Sequence, residues 1–500
     1  MNRNFLRLWV MFTLLLLVAC QHNKGGRKPN ILLIMSDNQY VSHLGIYGDR
    51  VVKTPEIDEL AKQGARFENA FCAAPSCTPS RAGLLTGQDI WRLKEGANLW
   101  GTLDSTYATY AEILAENGYS VGMQGKGWGP GNYMAGGRNQ NPGGPTYPDF
   151  ATFLKNNVRG RPWAYWFSSH HPHRPYEPGA GKLAGISPEK VVVPSYLPDT
   201  KSVRADITDY YAAIEAFDKE VGGIIAQLKA SGDFENTLIV ICSDNGWQMP
   251  RGLGNLYDAG THVPLIIVYD KFGKAERVLQ DFVNLNDLAP TFLELAGITI
   301  PSDMTARSLI PVLRSERQLG VVDTTRNTVY LARERHAFVR HLGLGYPARA
   351  LRNKSFLYIH NYSPDRWPAG DPPLYGDVDA NMLNYPSPTK VEVMQLAHKP
   401  DSAYFLLAFA RRPAEELYDL KNDPDQLKNL ADKPAYANIK KKLAKQLLDY
   451  QVKSGDPRTQ AQGVDWDKAA YYKEADKRPK PSKYYQQLLG LDSVYNYLKE

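Results

Sequence analysis

The chain has little cysteine, no internal repeat, no dense block of charge and no long apolar run beyond its first twenty residues. Each absence narrows the possibilities. The run Leu8 to Val18 is too short and too close to the N-terminus to be a comfortable membrane span. A net charge of +6 is spread diffusely, which suits an anionic substrate but gives no footprint for nucleic acid. Of the four cysteines, Cys72 and Cys242 are compatible with a disulfide or with buried thiols; the second reading is favoured because Cys242 lies inside an apolar strand. Five hundred residues exceed one ordinary core, so a large domain with a smaller companion is expected.

What is present centres on Cys77-Thr78-Pro79-Ser80-Arg81-Ala82-Gly83-Leu84-Leu85-Thr86-Gly87. Pro79 and Ser80 suit a first helical turn, and Ala82, Leu84 and Leu85 continue it. Cys77 therefore sits at a helix N-terminus, where free N–H groups and the helix dipole favour an anion. Arg81, four residues on, lies over the same face.

Two further segments end in acid. Asn30 to Met35 and Leu238 to Cys242 read as buried parallel strands, and they stop at Ser36-Asp37-Asn38 and Ser243-Asp244-Asn245-Gly246. Open α/β sheets bind ligands at the carboxyl ends of such strands. Asp37 and Asp244 offer hard oxygen ligands, which suit Ca²⁺ or Mg²⁺ rather than a soft metal. A third strand, Tyr119 to Met123, leads into Gln124-Gly125-Lys126-Gly127-Trp128, where a lysine between glycines can approach an anion closely. A fourth, Trp163 to Phe167, runs into Ser168-Ser169-His170-His171-Pro172-His173-Arg174-Pro175. Nothing completes a zinc site around those histidines. The helix Ala205 to Lys229 has the spacing of scaffold, and a helix from Asp287 to Ala296 is expected with Asn286 as its N-cap.

The cysteine segment matches the Cys-x-Pro-Ser-Arg-x-x-x-Leu-Thr-Gly signature of the type I sulfatases, and the chain is identified by resemblance as a member of that family. Val193 to Thr200, Arg204-Ala205-Asp206 and Asn255-Leu256-Tyr257 resemble the N-sulfoglucosamine sulfohydrolase branch. The resemblance implies an alkaline-phosphatase-like α/β sandwich with a large, mostly parallel mixed sheet over residues 29–320. A smaller α+β domain with an antiparallel sheet would follow over 321–500, where strands shorten and Pro-rich loops appear. It implies that a maturation enzyme oxidises Cys77 to formylglycine, and that Asp37, Asn38, Cys77, Asp244 and Asn245 surround one divalent ion, calcium before magnesium. Arg81 and Lys126 would hold the sulfate, and His173 would protonate the leaving atom. Asn38 departs from the family, which usually has a second Asp there, and Trp128 stands where a histidine is usual.

Seven more residues are candidates for substrate contact. Arg251 stands for the basic residue that relatives place in this loop. Trp128 is read either as a sugar-stacking wall or as a packing indole. His170 flanks the histidine cluster. Arg335 and His336, with Arg333 and Arg349, either reach over the cleft or form a solvated basic face.

The N-terminus adds a location. Arg3 and Arg7 precede the apolar run, and Leu17-Val18-Ala19-Cys20 resembles a bacterial lipobox, with Cys20 as the acylated first residue and residues 21–28 as a tether. An ordinary secretory signal is the alternative. The expectation is thus a lipid-anchored sulfatase of the bacterial cell envelope acting on saccharides from a sulfated polymer, whether ulvan or glycosaminoglycan. The alternatives are a sulfamidase on N-sulfoglucosamine, a phosphoesterase of the same superfamily, and a catalytically impaired carbohydrate-binding lipoprotein.

Overall fold

The structure, a computed structural model, describes residues 27–158, 160–377, 387–460, 463–473 and 483. The expected signal, Cys20, most of the tether and most of the C-terminal tail lie outside the described residues.

An eight-stranded mixed sheet organises the first 320 residues. Its strands are β1 (Asn30–Ser36), β2 (Ala65–Phe71), β3 (Ser120–Gly125), β4 (Trp163–Ser168), β5 (Thr237–Ser243), β6 (Leu265–Val268), β7 (Arg277–Asn284) and β8 (Leu319–Gly320), in the order β3-β4-β1-β5-β6-β2-β7-β8. Only β6 runs against its neighbours, pairing antiparallel with β5 and β2. The continuous apolar run of β1 has a direct cause. Leu32 and Ile34 enter one hydrophobic core, while Ile31, Leu33 and Met35 enter another on the opposite face. A strand covered on both faces has no polar side to show. Cys242 and Cys72 belong to the second core, each a buried free thiol.

Helices cover both faces: α1 (Pro55–Ala61), α2 (Cys77–Thr86), α3 (Tyr110–Glu116), α4 (Lys201–Ala230) and α5 (Leu288–Leu295). The helix α4 starts four residues earlier than its apolar periodicity indicates, because the Thr200 side chain accepts from the Val203 N–H and caps it. Before α5 a short 3₁₀ turn intervenes, and the capping residue is Asn284, reciprocally bonded with Asp287, rather than Asn286. The Asn286 amide instead donates to the Gln88 carbonyl oxygen beside α2.

A second, four-stranded antiparallel sheet follows, ordered β12-β11-β10-β9, from β9 (Thr328–Arg333), β10 (Ala348–Asn353), β11 (Phe356–Asn361) and β12 (Glu415–Asp419). Phe71, Leu256, Tyr257 and Phe282 pack against Val329, Leu331, Ala350 and Ile359, so one apolar cluster joins the two sheets. The long helix α6 (Ala437–Ser454) lies behind the small sheet through Leu443 and Leu447.

Candidate active site

Strand register assembles the site. β1 and β5 are parallel with Ser36 opposite Ser243, so the next residues, Asp37 and Asp244, leave the sheet side by side. The Asp244 carboxylate accepts from the Asn38 N–H at 3.0 Å, and the Asp244 N–H donates to the Ser36 carbonyl at 3.2 Å. On the other side of β1, β4 delivers the histidine segment, whose His171 carbonyl accepts from the Asp37 N–H at 2.8 Å. Beyond it β3 delivers Lys126. Gly125 is required there: its φ is +81°, and a Cβ would fall 2.0 Å from the Ser168 carbonyl oxygen. The glycine thus serves the turn that aims Lys126.

The helix α2 supplies the remaining side chains from across the strand ends, and all ten of its residues are buried. Its N-cap, Ser76, makes no capping bond; the hydroxyl meets His336 Nδ1 at 2.8 Å instead. The first turn of the helix is left without a side-chain cap at the position occupied by Cys77. Burial, with Arg333 and Arg340 adding to it, pushes His336 down to about 4, so it meets Ser76 as a neutral ring.

Around Cys77 the distances are short. Its Sγ lies 3.6 Å from Asp37 Oδ1, 3.8 Å from Asn38 Oδ1 and 3.7 Å from Asn245 Nδ2. Lys126 Nζ donates to Asp37 Oδ2 at 2.6 Å. Arg81 Nε donates to Asp244 Oδ2 at 2.8 Å, while its Nη1 donates to the Gly127 carbonyl and Ser168 Oγ, each at 2.6 Å. Burial alone would raise the Asp37 carboxyl, but Lys126, His173 and Arg81 outweigh it and hold that carboxyl well below the usual range. Asp244 moves up, through burial and the charge of Asp37. Burial also pushes the Cys77 thiol far above its ordinary value, with Asp244 and Asp37 adding to the shift. A thiol so raised is not a thiolate at neutral pH and is a poor nucleophile as it stands.

These residues fit a hard cation. One ligand atom each from Asp37, Cys77 and Asp244 lies within 4.8 Å of the others, and Asn245 Oδ1 is a buried oxygen with no hydrogen-bond partner. Two carboxylates and amide oxygens are donors of the type Ca²⁺ and Mg²⁺ take. Asn38→Asp would add one negative charge to this set. Calcium titrated calorimetrically into chelator-treated protein is expected to bind about tenfold more tightly to that variant. An unchanged affinity would exclude position 38 from the ion's surroundings.

Five of the expected substrate contacts are corrected. Trp128 is 2 % exposed and packs within the second core, so its indole has no free face for a sugar. Arg251 is turned away from Cys77: its guanidinium lies over the Tyr257 ring at 4.0 Å and donates to the Leu407 and Gln426 carbonyl oxygens. Arg335 is buried and donates to the Gly343, Ala469 and Ala470 carbonyls. Arg333 and Arg349 are buried in ion pairs with Asp377 and with Glu334 and Asp456, which removes the solvated-face reading as well. His170 is exposed beside the cluster; partial burial of its ring, helped by Lys126 and Arg81 and opposed by Asp37, lowers it from the ordinary histidine value. The residues that sequence reasoning missed are Ser168, which accepts from Arg81, and the buried group Arg174, Asp206 and Gln248 behind His173. Arg174 stands next to His173 in the chain, but no local pattern links it to Asp206.

Fold and site together define an α/β hydrolytic enzyme whose carboxyl-end cluster, with two cations and two acids around one buried cysteine, is built for an anionic substrate. Comparison with known proteins gives the family. A sulfatase family model matches residues 29–142 and 144–298, and a model of the C-terminal part of N-sulphoglucosamine sulphohydrolase matches 251–369 and 380–453. The chain belongs to the sulfatase family, and is a sulfuric ester hydrolase. It is 30% identical to an ulvan-active sulfatase of Formosa agariphila, over 86% of this chain and 81% of that protein. It is 28% identical to the human N-sulphoglucosamine sulphohydrolase, over 89% of this chain and 93% of that one. A structure solved with its substrate D-glucosamine-2-N,6-O-disulfate shares the alkaline-phosphatase-like fold, with a TM-score of 0.62 at 20% identity over 88% of this chain and 99% of that one. The phosphonate monoester hydrolase of Agrobacterium radiobacter shares it too, with a TM-score of 0.60 at 19% identity, over 85% and 96%.

Proposed function

We propose that this enzyme hydrolyses sulfate esters of saccharides released from a sulfated polysaccharide, using formylglycine at position 77 and one calcium ion. The observation that carries the reading is the placement of Cys77: a thiol that burial keeps protonated sits at the centre of an anion-binding cluster. Its Sγ marks the place of the two oxygens of a hydrated aldehyde. One hydroxyl of such a hydrate attacks sulfur and the other expels sulfate as the carbonyl re-forms, chemistry a thiol does not offer. Mass spectrometry of the peptide containing residue 77, after co-expression with a maturation enzyme, tests this. Aldehyde or hydrate supports it, and intact thiol in active protein overturns it.

The chain's own residues then divide the work. Asp37, Asn38, Asp244 and Asn245 would hold the ion, which would supply a fixed positive charge beside the sulfate. Arg81 is locked by Asp244, Gly127 and Ser168 and presents a planar charge that does not have to reorganise. Lys126 keeps 15% of its side chain exposed, so it is the cation best placed to meet incoming sulfate. His173 gives its proton to the leaving oxygen as the S–O bond breaks. Lys126→Ala is expected to raise the barrier by about 2 to 4 kcal/mol, read as a fall in kcat. A kcat within threefold of wild type would remove Lys126 from the machinery.

The substrate reading draws on the ulvan-active relative, which is similar along most of the chain. A second reading, a sulfamidase acting on N-sulfoglucosamine, is favoured by the C-terminal model match. A panel of O-sulfated and N-sulfated disaccharides separates them. We also place the enzyme at the cell envelope through acylation of Cys20, with a catalytic domain over 29–320 and a subdomain over 321–500. Cys20→Ala is expected to move the protein from the membrane fraction to the soluble fraction; retention on membranes would refute the anchor.

A further inference from the structure

We infer that Gln248 is a positioning residue that, together with the Arg174 main chain, orients His173 so that Nε2 is the nitrogen that exchanges the proton, an inference that rests on the role proposed for His173 above. Gln248 lies in the loop after β5, with none of its surface exposed (0%). Its Oε1 accepts from the Arg174 N–H at 2.5 Å. That bond settles which end of the amide is which, because a backbone N–H can be met only by the oxygen. The other end is therefore the NH₂ group, a donor with nothing to accept through, and it lies 3.4 Å from His173 Nε2.

A donor at that place requires a lone pair on Nε2, so the ring hydrogen of His173 is on Nδ1. The geometry on the far side of the ring agrees: Nδ1 is bonded to the Arg174 carbonyl oxygen, which can only accept. Three hydrogen bonds thus close a loop. Arg174 N–H donates to Gln248, the Gln248 amide donates to His173 Nε2, and His173 Nδ1–H donates back to Arg174 C=O. Arg174 is itself anchored by its two-bond pair with Asp206, so the loop hangs from a fixed point.

The consequence is directional. Nδ1 is committed to a carbonyl and has no part in proton transfer, so the proton that reaches the leaving oxygen passes through Nε2. When Nε2 has taken up a proton from solvent and the ring is cationic, the Gln248 amide cannot turn to accept it, because its oxygen stays on Arg174. The amide contact opens at that moment, and Nε2–H is left for the substrate. Gln248 acts through His173 and makes no bond to the reacting atoms.

Nitrogen-15 NMR of histidine-labelled, matured enzyme tests this, with the His173 signals assigned by difference from His173→Ala. Wild type is expected to show His173 as the Nδ1–H tautomer. In Gln248→Glu one carboxylate oxygen still meets the Arg174 N–H and the other faces Nε2, so Nε2 is expected to gain hydrogen while the melting temperature holds. Gln248→Leu removes only the donor that holds Nε2 in place and leaves the Nδ1–H bond to the Arg174 carbonyl, so it is expected to keep the Nδ1–H tautomer and to lower kcat by about tenfold to a hundredfold with KM within about twofold. An Nε2–H tautomer in wild type, unchanged signals in Gln248→Glu, or wild-type kcat in Gln248→Leu would each overturn the inference. Wild-type kcat in His173→Ala would instead overturn the role of His173, and the tautomer spectra distinguish the two failures.

Discussion

Cys77→Ala is expected to lower kcat on a sulfated disaccharide by a factor on the order of 10⁵ while the protein stays folded. The size follows from what the side chain is in the reaction. In the proposed mechanism position 77 carries the atom that bonds to sulfur, whereas Arg81, Lys126 and the acids only stabilise charge around it. Removing one stabiliser leaves the others in place; removing the nucleophile leaves a site that binds and does nothing. Folding is expected to survive because the substitution deletes one sulfur and leaves the backbone of α2, including the Ser80 N–H to Ser76 carbonyl bond, untouched. Protein produced without the maturation enzyme should be as inactive as the variant, since its thiol is intact and held protonated by burial. Cys242→Ala, which alters a buried core thiol in β5, is the control and should retain turnover. More than 1% of wild-type kcat in Cys77→Ala would show that some other group attacks sulfur.

How much of this was legible beforehand depends on how local each signal is. Strands covered on both faces read as unbroken apolar runs, so β1 and β5 and the acids ending them are visible without coordinates. Their register is not visible, yet the pairing of Ser36 with Ser243 is what sets Asp37 beside Asp244. The helix at Cys77 is also local, carried by Pro79, Ser80 and the closing Gly87. Arginines are the opposite case. A guanidinium in a Gly-rich loop has the same letters around it whether sulfate or carbonyl oxygens claim it, and Arg251 and Arg335 went to carbonyls far along the chain. Trp128 was ambiguous for a related reason: an indole serves as wall or as core with equal ease, and the turn after β3, bonded to the Asn141 side chain, places it in the second core. Asn284 and Asn286 differ by two positions in one polar stretch, and only the backbone geometry selects the cap. Gln248 is the extreme, since its meaning lies wholly in a segment seventy-odd residues away in the chain.

That same separation governs the second large effect, expected for Asp206→Ala. Arg174 and Asp206 form a two-bond pair, Nη1 to Oδ1 at 2.8 Å and Nη2 to Oδ2 at 2.6 Å. Their side chains are 1% and 3% exposed. The Arg174 guanidinium also lies over the Tyr176 ring at 4.2 Å, and Asp206 accepts from the Thr389 N–H at 3.3 Å. One carboxylate on α4 therefore ties the histidine loop to the segment that opens at Ser387. Deleting it leaves a buried guanidinium without its countercharge, which should cost about 3 to 5 kcal/mol of stability, read from a denaturant midpoint. Activity should fall with it. To regain solvent the guanidinium has to pull residue 174 outward, and His173 hangs from the backbone of that residue. A displacement near 1 Å at a catalytic group costs about a hundredfold in kcat. The paired change Arg174→Met with Asp206→Leu separates the two effects. It buries no charge, so stability should return. The two bonds of the loop, from residue 174 to the Gln248 amide and to His173, use the main chain, and of the bonds to Gln248 only the weaker one, from Nε to its carbonyl oxygen, is lost, so kcat should return as well. Stability restored without kcat would mean that the guanidinium acts on the chemistry directly. Asp206→Ala with a wild-type midpoint and kcat would mean that the pair holds nothing.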